Sequence, residues 1–392
     1  MTDYKRTVKP GHRVSVRGVP ISTGKWVQDP YIALAAGDTA TISTDVPPPP
    51  PPPVEPPPPT GRPWPAPVTS RTVQAPASGD LGAFVAQQPD GTVIGCPSTG
   101  SYTMAIGVRF ERKQNIVLRG NGAAINMTGP GDQDNSSAFI VRGSHNIAIE
   151  NFRVRGNYSG VPALQGENAH LLSLSDWYAQ GISSYIEMSG VVADHIRGDF
   201  VYANGYTQLG GGAAQPGHHL WVHHNKGDHC GRNAISPINF TDGLVEDNEW
   251  DNINYHVYDI EPDFTAQQVR RWTFQRDKIG SYAHRAGLVG FFVRNWNPPG
   301  NAPVSDILVD RVTVEGIAAN GYNGKPMGIN VRFDSPSSNV AITNCSSPIV
   351  SASPVMVFNN VTGLRVAENR QGGALLSGSG YAFGNSTGVV TA

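Results

Sequence analysis

The chain has 392 residues, of which 15% are charged against the roughly 25% usual for a soluble domain, while 45 are glycine and 32 are proline. That is not the composition of a run of amphipathic helices. Twenty-nine Lys and Arg against 31 Asp and Glu leave a formal charge of −2, so no overall attraction to a nucleic acid backbone is encoded. Cys96, Cys230 and Cys345 lie too far apart for a metal-ligand spacing and are too few to cross-link the chain, which makes them small buried apolar residues.

Residues 1–46 carry short alternating segments, RVSVRGV and TATIST, separated by KPG and AAGD. They predict a small β-rich module that buries little apolar surface by itself and acts as an attachment element. Its start, MTDYKRTVKPGHR, has no apolar core, and no stretch of the chain reaches the roughly 18 apolar residues of a membrane span, so neither an export signal nor membrane insertion is expected. Residues 47–67, PPPPPPPVEPPPPTGRPWPAP, hold 14 prolines in 21 positions. Proline fixes φ and lacks a donor, so the tract predicts a polyproline II rod reaching roughly 65 Å if straight. A PxxP ligand for a signalling module is the rival reading. Trp64 either docks the rod on the next domain or stays exposed in the linker.

Residues 68–107 form a transition and N-terminal cap, residues 108–372 a repeat, and residues 373–392 a C-terminal cap or tail. The repeat is a short β-branched strand, an Asn, Gly or Asp, then another strand. Its apolar anchors are Ile116, Ile147, Val191, Leu220, Leu244, Trp272, Ile307, Val340 and Leu364, at steps of 31, 44, 29, 24, 28, 35, 33 and 24. Such a period without helical patterning predicts a solenoid whose turns bury their apolar faces only by stacking. Asn151, Asn225, Asn248, Asn344 and Asn369 at strand ends suit bends and hydrogen bonds along a stack.

The segments GDFVYANG at 198, CGRNAISPINFTDGLVEDNEWDN at 230 and YHVYDIEPDF at 255 resemble the pectate-lyase-like superfamily. Phe200, Tyr255 and Asp263 stand where its pattern more often has Gly, Gly and Asn. The resemblance implies an all-β chain with a right-handed parallel β-helix, preceded here by the small module and the rod. This order of parts is similar to bacteriophage tail spikes and minor tail proteins, which leave the host by lysis and need no export signal.

Asp199, Asp228 and Asn252 each lie eight residues beyond an anchor and are expected to stack, two carboxylates then coming within like-charge range so that one becomes a general acid. Twelve residues beyond the anchors, Arg232 falls beside His256. Asp259 and Glu261 are two apart and share one side of a strand, either as an acid and base pair, as a divalent-cation site, or as hydrogen-bonding carboxylates that end the strand. Asp199, Asp228, Asp259 and Glu261 are therefore the candidate catalytic residues, and Arg232, His256, Tyr202 and Tyr258 the candidate substrate-binding residues. Six histidines between His195 and His229 read as a wet sugar-binding face more readily than as a zinc site, and about half of the aromatics interleaved with them are expected to be exposed and the rest core, Trp221 fitting either side. No nucleotide or hydride-transfer motif appears, and no cofactor is expected beyond that possible cation.

The leading expectation is a virion tail component, homotrimeric, joined to other tail proteins through residues 1–46 and binding host surface polysaccharide during adsorption. A tail-associated depolymerase and a freestanding carbohydrate-active enzyme are the alternatives.

Overall fold

The computed structural model describes residues 62–129, 136–159, 168–176, 181–207, 214–264, 266–282, 291–293, 304–316, 328–350 and 355–391, together with four short strands near the N-terminus. The chain divides into two compact units, Met1–Pro65 and Ala66–Ala392. In the first, Tyr4–Thr7 pairs antiparallel with Thr39–Ile42, and Arg13–Val14 with Ile32–Ala33. The expected rod up to residue 61 lies outside the described residues.

The second unit is a right-handed parallel β-helix. Each rung contributes a strand to each of three sheets, as in Phe139–Arg142 (first sheet), His145–Glu150 (second) and Arg153–Arg155 (third). The parallel pairing already begins with Arg71–Gln74 against Thr92–Gly95. It ends with Tyr381–Ala382 and Val390–Thr391 adding a last partial rung. The helix Leu81–Gln87 closes the N-terminal end. Asp80 caps it by accepting the Ala83 N–H at 2.9 Å, and Leu81 and Val85 are buried. Among the described residues no helix is long and apolar enough to cross a membrane.

The second sheet fixes the register. One interior column runs Ile116, Ile147, Ile186, Leu220, Gly243, Trp272, Ile307, Val340, Leu364. Seven anchors expected from the sequence stand in it, but Val191 and Leu244 do not. Val191 sits beyond the strand at the next corner, where its N–H donates to Asn225 Oδ1. Leu244 lies across from Trp221 and Thr273 on the outer side.

Before each member of this column one residue leaves the ladder with left-handed backbone: Asn115, Asn146, Tyr185, His219, Asp242, Arg271, Asp306, Asn339 and Gly363, at φ from 53° to 69°. This repeated irregularity breaks simple two-residue alternation. At the corner into the third sheet, Asn225, Asn248 and Asp277 are buried in a ladder. The Asn225 N–H donates to Asn248 Oδ1 at 3.0 Å, and the Asn248 N–H to Asp277 Oδ1 at 2.8 Å. The interior is otherwise apolar and rich in stacked rings, including Phe200 with Trp250 and Tyr258 with Phe274. All three cysteines are buried and unpaired by disulfides.

Candidate functional site

On the first sheet, Val201, Ile235 and Tyr258 align across three rungs and point inward. Strand alternation therefore turns Tyr202, Ser236 and Asp259 outward. Glu261 and Asp263 follow Asp259 at the same parity, separated by Pro262. The corners preceding these strands bring up Asp199, then Arg232 and Asn233, then His256. One rung earlier, His170 lies flat against Tyr202, with ring centroids 4.6 Å apart.

These residues form one network. Asp199 is fully enclosed; its Oδ1 accepts the Asn233 N–H at 3.0 Å and lies 3.8 Å from Arg232 Nε, while its own N–H donates to His170 Nδ1 at 2.9 Å. Asn233 Nδ2 donates to Asp259 Oδ2 at 2.9 Å and to Ser236 Oγ at 3.1 Å, and Asn233 Oδ1 accepts the His256 N–H at 2.9 Å. His256 Nδ1 lies 3.5 Å from Asp259 Oδ1. Asp259, only 2% exposed, is hydrogen-bonded to Glu261.

Desolvation dominates the electrostatics. Burial, reinforced by the charges of Asp259 and Asp263, pushes the Glu261 carboxyl up to about 9, against the pull of Arg232. Burial likewise lifts Asp263 to about 6, with Arg232 opposing and Asp259 adding to the rise. Asp199 is also raised by burial, against Arg232 and the Asn233 N–H. Glu261 is thus neutral at pH 7, whereas Asp263 is mostly ionised. Both Glu261 and Asp263 are partly exposed.

The structure corrects several sequence-based expectations. Asp199 and Asp228 do not stack: Asp228 is aligned with Asp194 and Asp251 on the third sheet, while Asp199 lies at the corner into the first. The cause is the misplaced Val191 anchor. Asp228, half exposed, accepts from Asn252 Nδ2 at 2.7 Å and lies 3.0 Å from His229 Nδ1, apart from the network around Asp259. Asp199 is enclosed and cannot touch a substrate.

Tyr258 is an interior residue whose hydroxyl donates to Asp277 Oδ2 at 2.6 Å, so it does not bind substrate. Among the aromatics, of which only some were expected on the surface, Trp250 is interior, and Trp221 lies on the outer side, where its Nε1 donates to Glu246 Oε1 and its ring centroid is 3.7 Å from that of His223. Arg232, His256, Tyr202, Asp259 and Glu261 do come together. The sequence reading missed Asp263, Asn233 and His170 as members; Asp263 was signalled by its shared parity with Asp259 and Glu261.

Among the described residues no three His, Cys, Asp or Glu side chains are arranged to hold a metal ion. Among the described residues, Arg232 brings positive charge toward Glu261. A groove of about 520 Å³ lies elsewhere, on the third sheet beside Asp194, Asp228 and Asp251. It is lined by exposed, mutually paired charges such as Lys226 with Glu249 at 2.7 Å, and it lacks the buried carboxylates of the first sheet.

No family model matches the chain, and no curated protein matches it. Solved structures do. A family 28 exopolygalacturonase of Yersinia enterocolitica is similar over 82% of this chain and 72% of that one, with 12% identity and a TM-score of 0.52. An alginate lyase from Paenibacillus sp. is similar over 81% of this chain and 99% of that one, at 11% identity and a TM-score of 0.49. A surface protein and adhesin of Streptococcus pneumoniae is similar over 77% and 86%, at 12% identity and a TM-score of 0.47. At these identities the likeness is one of architecture: the chain shares the parallel β-helix fold.

Proposed function

We propose that the chain is a polysaccharide-cleaving enzyme, a glycoside hydrolase, whose acid is Glu261 and whose base is Asp263. The observation that carries this reading is the gathering of Asp259, Glu261 and Asp263 near Arg232 at one partly exposed place on the first sheet, where burial splits neighbouring carboxyls, Glu261 to about 9 and Asp263 to about 6. Pairs separated in this way supply an acid and a base at one pH. In the reaction Glu261 gives its proton to the glycosidic oxygen as the C–O bond breaks. Water adds to the anomeric carbon and gives its proton to Asp263, so the net change is one water consumed per bond cleaved. Arg232 balances the clustered negative charge, and the enclosed Asp199 holds Arg232. Tyr202 and His256 border the same surface and are suited to sugar hydroxyls.

The test is incubation with a panel of bacterial-envelope and plant polysaccharides, reading new reducing ends. Glu261→Gln is expected to abolish turnover while binding survives, and Asp228→Asn, on another sheet, to leave it unchanged. Binding without new reducing ends, or products with a new double bond, overturns the hydrolase assignment.

The order of small module, proline tract and β-helix supports carriage of this activity on a bacteriophage tail, docked through residues 1–46 with three copies joined. Antibodies to residues 1–46 are expected to decorate tails, and the native mass to be three times 41.8 kDa. Undecorated virions or a monomer overturn these two points separately.

A further inference from the structure

Asn233 is fully enclosed and joins three rungs. Its backbone N–H serves Asp199 and its carbonyl accepts the Phe200 N–H at 3.0 Å, both on the preceding rung. Its side chain serves Ser236 on its own rung and Asp259 and His256 on the next. An amide has two N–H donors and a carbonyl acceptor. Here the donors go to Ser236 Oγ and Asp259 Oδ2, and the carbonyl is taken by the His256 N–H, which fixes the amide's orientation. Asp259 Oδ2 is thereby held as an acceptor. The geometry points to Asn233 as a positioning residue that, acting through Asp259, keeps the proton of the Asp259–Glu261 pair on Glu261, the member that can reach a substrate.

This rests on the acid role given to Glu261. An aspartate at 233 would present an acceptor to Asp259, and a residue too short to reach it would leave Oδ2 without that donor. In either case the pair's proton has less reason to stay on Glu261. The titratable and charged groups facing the pair are His170, Asp199, Tyr202 and Arg232 from the preceding rungs and His256 and Asp263 from its own. Of these, Asp199 is itself bonded to Asn233 through the backbone, a contact that a side-chain substitution leaves in place.

The experiment compares wild type with Asn233→Ser on any polysaccharide cleaved. A misplaced proton is expected to lower kcat about tenfold, a fraction of what a whole general acid contributes, with KM little changed. Loss of a donor to the ionised pair should also move the alkaline limb of the pH profile to higher pH. A folded Asn233→Ser variant with unchanged kcat and limb, or with lower kcat and an unmoved limb, overturns the proposal, the second outcome marking a merely structural residue.

Infrared titration of the carboxyl groups reads the same pair without turnover. If no polysaccharide is cleaved, an upward shift in Asn233→Ser still supports the positioning role, while the hydrolase reading alone fails. Should the variant not fold, the wild-type Asn233 side-chain amide provides the readout by NMR. Its N–H signals are expected to move with the pair's titration, and signals flat from pH 5 to 10 overturn the inference.

Discussion

Gly243 and Trp272 share one interior space: a β-carbon on Gly243 would lie 2.2 Å from the Trp272 indole. The two are paired across adjacent rungs, so the ring fills the place that Leu220 or Ile307 fills for itself. Gly227 against Phe200 and Gly217 against Phe240 repeat the device. Gly243→Ala is expected to cost about 1–3 kcal/mol by overpacking. Combining it with Trp272→Leu should cost less than the two separate losses together, since the smaller side chain vacates the contested space. Denaturant melts of the four proteins check this, and strict additivity would count against a shared site.

Tyr258 and Asp277 give the second expectation. Asp277 is raised to about 6 by burial, with the Tyr258 hydroxyl the largest opposing influence and Asn248 and Trp250 also pulling it down. Tyr258→Phe removes a donor to a buried carboxylate and is expected to cost about 1–3 kcal/mol. The cost falls on the ionised form, so it is larger at pH 8 than at pH 5, as urea melts at the two values would show. Sugar binding should be unaffected, which separates this interior role from a substrate contact.

The period and all-β character of the solenoid were legible because each rung repeats an apolar residue at the same inward place. The register was legible only in part. At Gly243 that inward place carries no side chain at all, its volume being supplied by Trp272 from the next rung, and so Leu244 stood out instead. At Ile186 the preceding left-handed Tyr185 interrupts the alternation, and Val191, equally buried but at the following corner, replaced it. That five-residue shift carried Asp199 onto the wrong face. Asp259, in the strand Tyr258–Ile260, and Glu261, just past its end, survived because residues two apart need no register between rungs. Arg232 and His256 met because a one-residue slip still leaves adjacent rungs adjacent. Asn233 carried no signal, as its role depends on what three rungs place around it.

Stability should fall as pH rises from 5 to 9. Glu261, Asp263, Asp199 and Asp277 are all raised in the folded chain, so it keeps protons that the unfolded chain releases. Their stabilisation is complete below the ordinary carboxylate range and is lost as pH climbs through about 6 for Asp263 and Asp277 and about 9 for Glu261. Each such proton contributes a slope of about 1.4 kcal/mol per pH unit within its window. Asp242 and Asp306, which are lowered, act in the opposite sense only below that range, and His218 and His219, lowered by burial, oppose the fall up to the ordinary imidazole range near 6.5 but are outnumbered by the four carboxyls. Melting temperatures at pH 5, 7 and 9 are expected to decrease in order, and Glu261→Gln to flatten the fall between 6 and 9. A wild-type Tm that rises over this span contradicts the assignment.

Arg232 opposes the upward shifts of Asp199, Glu261 and Asp263 together, which makes it the most informative single substitution for activity. With Asp263 as base and Glu261 as acid, kcat/KM should be bell-shaped with limbs near 6 and 9. Arg232→Gln removes the cation, each carboxyl becomes harder to ionise, and both limbs are expected to move to higher pH. Activity then falls most on the acidic side, where Asp263 stays protonated, and recovers as the pH is raised. Arg232→Lys keeps the charge and should restore the limbs toward wild type even where turnover stays low, because ammonium lacks the planar fork of guanidinium. Profiles of the three proteins on one polysaccharide decide the matter: limbs that do not move when the charge is removed would mean that Arg232 does not set the ionisation of this site.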